Sequence, residues 1–271
     1  MIKTVTFTLI IFITASCSTN PYRKISKLQK HKIDSLKQEI SDTNLPLLQD
    51  LLNKQIATEY IPTVNLGLRK PNFVVIHHTA QDSLAQTIRT FTLERTQVSS
   101  HYIISESGKI IHLLNNNLRT WHAGASKWGN ITDINSCSLG IELDNNGLNP
   151  FTNIQINSLL ILLAHLKKHY NIPTANFIGH ADVAPKRKTD PSILFPWEKL
   201  SKSGFGLWYD NPEILPPPDF DVENALRRVG YNTVDLNAAI VAFKLHFVKL
   251  DLQPTLTNWD KCVLLNLYKK Y

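Results

Sequence analysis

Cysteine is scarce: the 271 residues hold three, at positions 17, 137 and 262. Residues that far apart build no disulfide framework, so Cys137 and Cys262 read as buried free thiols. The chain has no Lys/Arg block long enough for a nucleic-acid-binding arm, the densest run being PKRK at 185–188. Internal repeats and low-complexity tracts are absent, which excludes solenoid architectures. The apolar run near the start, Val5 to Ile13, is too short to span a bilayer comfortably as a helix. No closely spaced His-x-x-His pair occurs either, so any metal site must be assembled from separate strand ends. What remains is ordinary globular composition, 43% hydrophobic and 19% charged, with a formal net charge of +7. That charge suits anionic surfaces or polymers and does not choose between them.

The N-terminus MIKTVTFTLIIFITASC combines Lys3, the apolar run, and the small residues Thr14, Ala15 and Ser16 before Cys17. The pattern reads as a secretory signal and resembles a bacterial lipoprotein signal. The resemblance implies a signal peptide over 1–16 and lipidation of Cys17. By the same resemblance Ser18 implies the outer membrane rather than the inner one, with the chain facing the periplasm. Residues 17–64 are polar and charged. Ile33, Leu36 and Ile40 fall at helical spacing and Leu47, Leu48, Leu51 and Leu52 form a second apolar group, so this part is a partly helical spacer.

From 65 to 200 strand and helix patterns alternate. Strands are expected at Phe73–His78, His101–Ser105, Lys109–Leu114, Ser138–Leu143 and Asn176–His180, with Gly108 in the hairpin turn between the second and third. Ser83 can cap a helix turning Leu84, Ile88 and Phe91 inward; Thr152 or Asn153 can cap a longer one burying Ile156, Leu159, Leu160, Leu163 and Leu166. The fold class is therefore α/β (α+β), a mixed central sheet flanked by helices. Residues 201–218, with Gly204, Gly206 and Pro216-Pro217-Pro218, read as a linker. Helical patterns at Val222–Val229, Leu236–Phe247 and Asn258–Tyr271 make 219–271 a small three-helix domain.

In FVVIHHTAQ, residues 73–81, an apolar strand runs into two histidines. Successive strand side chains point to opposite faces, so His77 and His78 cannot easily reach one site, and nothing local says which one does chemistry. His180 also follows an apolar strand pattern, and Asp190 lies ten residues later among Lys and Arg. Two imidazoles, a carboxylate and an open position make up a catalytic zinc site.

The segments VVIHHTA, SSHYIISESGKIIHLL, TWHAGASKW, SLGIELDNNG, FIGHADVAPKRKTDP and LFPWEKL occur in that order. Together they resemble the zinc-dependent N-acetylmuramoyl-L-alanine amidases related to peptidoglycan recognition proteins, across about 73–200. The resemblance implies one zinc ion per chain, held by His77, His180 and Asp190. It also implies Glu142 as general base and Lys188 as a stabiliser of the developing oxyanion. Ser192, where the family commonly has glycine, and His78, where relatives often carry an aromatic, depart from the pattern without touching a ligand. His101 and His122 lie in family-like motifs but are not ligands; they are read as pocket-lining or structural groups and, with Trp121, as candidate substrate contacts, while Trp121 and Trp128 could stack on sugars or pack in the core. The implied partners are peptidoglycan and muropeptides, with 219–271 resembling a peptidoglycan-binding domain; the membrane is met through the lipid anchor, nucleic acid is not a partner, and a monomer is expected. Two other readings stay open. One is a non-catalytic recognition module; the other is a cytoplasmic recycling amidase, against which the signal sequence speaks.

Overall fold

The computed structural model describes residues 21–41, 53 and 67–271, which leaves the expected signal segment, Cys17 and the second apolar group outside the described residues. Two units form, Met1–Leu66 and Gly67–Tyr271. In the first, helix α1 covers Arg23–Ser41, with Ile33 and Leu36 half-buried and Ile40 exposed. Among the described residues, no helix is long and apolar enough to cross a membrane.

The second unit is built on five strands: β1 (Phe73–His78), β2 (Tyr102–Ile104), β3 (Ile110–His112), β4 (Ser138–Leu143) and β5 (Phe177–Gly179). Their order is β3-β2-β4-β1-β5, parallel except for β3, which turns back on β2 as one of the two edge strands. Gly108 in that hairpin has φ +82, and a Cβ there would lie 2.8 Å from the Ser158 hydroxyl, so glycine satisfies both turn and packing.

Alternation along β1 divides the core. Val74 and Ile76 join Leu139, Ile141 and Leu143 under the long helix α4 (Asn153–Tyr170), which contributes Ile156, Leu159, Leu162, Leu163 and Leu166. The Thr152 hydroxyl caps this helix by accepting from the Gln155 amide, and Asn171 ends it in the left-handed region. Shorter helices precede it: α2 (Leu84–Thr92), capped by Ser83, and α3 (Ile134–Cys137). In α2 the expected inward residues Leu84, Ile88 and Phe91 are only half-buried. Thr87 is the buried one, because its hydroxyl donates to Asp144.

The opposite face of β1 carries Phe73 and Val75, which pack with α5 (His180–Val183) and with the C-terminal helices. After α6 (Trp197–Lys202) the Gly/Pro-rich segment buries Phe205 and Leu207 against the body. Then come α7 (Val222–Val229), α8 (Leu236–Phe243) and α9 (Asn258–Lys270), whose Leu226, Phe243 and Leu264 share one hydrophobic cluster with Val75 and Ile178 of the sheet. The expected helix Leu236–Phe247 changes character at Lys244, where a π-helical turn takes over to Val248. Lys244 is fully buried there, bonded to Asp251 and 3.4 Å from the Asp260 carboxylate. Trp128 is also core: its ring packs on Tyr231 and over Gly230, where a Cβ would come within 2.3 Å of the indole. Cys137 is half-buried and Cys262 buried, both free thiols.

Candidate metal centre and active site

The parallel register of β1 with β4 sets His77 directly opposite Glu142, so both side chains leave the sheet on one face. Every second residue of β4 on this face is small or acidic: Ser138, Gly140, Glu142. The ring of His122 lies on Gly140, where a Cβ would stand 2.5 Å from it. His180 arrives from the end of β5 as the first residue of α5, a turn held by the Gly179 amide donating to Asp182 at 2.7 Å. The chain then loops out and returns Asp190, whose carbonyl accepts from the Ala181 amide at 2.8 Å. Ser192 donates its amide to His78 Nδ1 at 3.0 Å, so the second histidine ties down the loop that carries Asp190.

Three atoms converge. His77 Nδ1 lies 2.9 Å from His180 Nδ1 and 3.1 Å from Asp190 Oδ2, and His180 Nδ1 lies 3.0 Å from that same oxygen. Glu142 Oε1 stands 3.9 Å from His77 Nδ1. His180 Nε2 donates to the Ala123 carbonyl at 3.2 Å, and in that tautomer Nδ1 presents a lone pair to the other two atoms. Facing lone pairs of nitrogen and carboxylate oxygen repel unless a cation or a proton lies between them, and this donor set, two imidazoles and one carboxylate, is that of a catalytic zinc site. The residues present fit such an ion.

The electrostatics follow from burial. Desolvation, then the neighbouring His180, pushes His77 down to about 4, with Asp190 opposing. Burial alone would raise the Asp190 carboxyl, but hydrogen bonds with His180 and His77 outweigh it and hold the group well below the usual carboxylate range. Glu142 moves the other way: burial, then the Asp190 charge, raises it well above its ordinary value against the pull of Lys188. Two carboxylates in one site thus have opposed proton affinities, as acid–base work requires. His122 is pushed well below its ordinary value by burial and by His77 and His101.

The group opens into a cleft of about 390 Å³ whose walls include Trp121, His122, Lys188 and Thr189. Trp121 is 49% exposed at the rim. His101 does not line the cleft, so of its two expected roles, pocket-lining or structural, it takes the structural one. It is 0% exposed, and its Nδ1 accepts from the Gly140 amide at 3.1 Å, so its ring is occupied in holding β2 to β4. Sequence reading also missed Arg187, which donates to the Ala123 and Ala125 carbonyls at 3.0 and 2.6 Å. It missed Ser138 and Asn135 as well. The Ser-x-Gly-x-Glu alternation was the available signal for a cleared strand face.

The N-acetylmuramoyl-L-alanine amidase family model matches residues 67–193. The Escherichia coli N-acetylmuramoyl-L-alanine amidase AmiD is 35% identical over 222 residues, covering 69% of this chain and 76% of that protein. The chain belongs to this amidase family. The Haemophilus influenzae 1,6-anhydro-N-acetylmuramyl-L-alanine amidase AmpD is 39% identical over 108 residues, 40% of this chain and 59% of that one. Among solved structures, Escherichia coli AmiD in complex with anhydro-N-acetylmuramic acid-L-Ala-D-gamma-Glu-L-Lys superposes with a TM-score of 0.68 at 30% identity, over 78% of this chain and 93% of that one. AmpDh3 from Pseudomonas aeruginosa gives 0.70 at 28% identity, over 80% and 99%.

Proposed function

We propose that this chain is a zinc-dependent amidase that hydrolyses the bond between N-acetylmuramic acid and the L-alanine of peptidoglycan stem peptides, in cell-wall turnover or recycling. The observation that carries the reading is the convergence of His77, His180 and Asp190 on the sheet face that also presents Glu142. A recognition module without catalysis has no need of a buried carboxylate beside three converging ligand atoms.

His77, His180 and Asp190 would hold zinc, which when bound supplies Lewis acidity toward the scissile carbonyl and the attacking water. Glu142 takes the water's proton at its carboxylate and later delivers one to the departing alanine amine; its raised proton affinity suits both halves. Lys188, half-buried in the cleft wall, sets a positive charge beside the oxygen that becomes negative, an effect of roughly 3 kcal/mol for one well-placed donor. Trp121 offers an exposed indole face to the sugar or peptide at the rim. The cleft volume of about 390 Å³ is in the range that takes a drug-sized fragment, such as a muramyl peptide.

The remaining assignments belong to the same reading. Cys17 would be the lipidated residue of an outer-membrane lipoprotein facing the periplasm, supported by the signal-like run before it. Residues 219–271 would add a second attachment to the wall and raise the local substrate concentration. The protein would act as a monomer. The test is mass spectrometry of purified muropeptides, with ordinary and 1,6-anhydro ends, incubated with and without chelator. Free stem peptide in the untreated sample alone is expected; intact muropeptides in both would overturn the amidase reading.

A further inference from the structure

We infer that His122 and Ser138 are positioning residues that fix which nitrogen of His77 carries its proton, a role that rests on the zinc reading above. Ser138 Oγ lies 2.6 Å from the Ile134 carbonyl, which can only accept. The hydroxyl's single proton is committed there. Ser138 Oγ also lies 3.0 Å from His122 Nε2, and toward that nitrogen it can only accept. His122 Nε2 therefore carries the proton, and Nδ1 of the neutral ring is an acceptor. That Nδ1 stands 3.0 Å from His77 Nε2, so His77 Nε2–H donates. The Nδ1 of His77 is left as a lone pair, aimed at His180 and Asp190.

The chain runs one way because it ends on a carbonyl. Reversing it would turn the Ser138 hydroxyl toward His122, move the His122 proton to Nδ1 and drive the His77 proton into the midst of the ligand atoms. The next residue does the same for the second imidazole: the Ala123 carbonyl accepts from His180 Nε2 at 3.2 Å. One short segment thus sets both tautomers, His122 by its side chain and Ala123 by its backbone. Asn135 holds that segment, its Oδ1 accepting from the His122 and Ala123 amides at 3.1 and 2.9 Å. Gly140 leaves the space in which the His122 ring lies.

The experiment measures zinc affinity of the purified chain by chelator competition, and histidine tautomers by long-range proton–nitrogen NMR. His122→Phe keeps the ring shape and removes the acceptor, and should weaken zinc binding by about 10–100-fold. His122→Asn, which can present an oxygen where Nδ1 stood, should restore affinity toward the wild-type value. A role in packing alone would favour Phe over Asn, the reverse order. Ser138→Ala should weaken binding in the same direction as His122→Phe. In wild type the spectrum should show His122 and His77 both protonated at Nε2. A His122 protonated at Nδ1, or a folded His122→Phe chain that binds zinc as wild type does, would overturn the inference. A wild-type chain that takes up no zinc would instead sink the metal reading, and its NMR spectrum would still decide the tautomer.

Discussion

Asp182 is 1% exposed, follows His180 by two residues, and receives three hydrogen bonds. Its Oδ2 accepts from the Gly179 amide at 2.7 Å and from His246 Nδ1 at 2.8 Å; its Oδ1 accepts from the Tyr231 hydroxyl at 2.7 Å. The last two donors lie beyond the Gly/Pro segment, so one carboxylate joins the turn that carries His180 to the C-terminal region. Burial and the Asp182 charge push the Tyr231 phenol well above its ordinary value, and it keeps its proton and donates. Tyr231→Phe removes the hydroxyl and little else, leaving a carboxylate oxygen facing an apolar ring. A hydrogen bond to a charged group contributes roughly 1.5–3 kcal/mol. With m of about 2 kcal/mol per molar urea, the unfolding midpoint should fall by about 1 M. Tyr231→Leu, which also empties ring volume beside Trp128 and Phe243, should fall further, by the usual cost of a large-to-small core change. Urea melts followed by tryptophan fluorescence measure both. A Tyr231→Phe midpoint equal to wild type would refute the idea that this carboxylate depends on its phenol donor.

Glu142→Ala should keep zinc and lose activity by about 10²-fold or more, while His180→Ala should lose both; metal content and peptide release, measured on the same samples, separate the two roles. His77→Ala should abolish zinc binding. His78→Phe should retain it but lose about 1 kcal/mol of stability, because the Ser192 amide gives up its bond to His78 Nδ1; zinc loss in His78→Phe with retention in His77→Ala would shift the register by one residue. For pH, burial holds His101 at about 4 in the folded chain, below its ordinary 6.5. Between those values the unfolded chain binds more protons, so stability is whole above about 6.5 and declines as pH falls toward 4, by about 3 kcal/mol from this group. Urea midpoints across that interval should fall with acidity, and a flat profile would contradict a buried neutral His101.

The sheet was legible because its strands are runs of Val, Ile and Leu, and β1 and β4 lie where those runs lie. The helix caps were legible too: Ser83 and Thr152 accept the amide bonds their types are suited to. Strand and helix ends shifted by a residue or two, since Asn176 closes a 3-10 turn and His180 opens α5, and no local pattern encoded the π-helical turn at Lys244, whose ammonium is buried beside Asp260. The candidate site was legible as a set of ordered motifs. Strand periodicity alone did not say which of His77 and His78 faces it, because a period-two strand offers either face equally; the motif pattern chose His77, and the structure places His77 with His180 and Asp190.

By itself the sequence determined which segments become strands and helices and which residue types could serve a metal, since propensity, capping and periodicity act over a few residues. Only the tertiary structure decided the rest. Pairing β1 with β4 sets His77 against Glu142, and the loop from β5 returns Asp190 to His180. His101 went into the sheet interior and Trp128 onto Gly230, while His122 lies on the bare backbone of Gly140, as only strand order and packing could settle. The direction of each proton in the row from Ile134 to His77 follows from contacts between residues far apart in the chain, and a hydrogen bond has a donor only once its acceptor is in place.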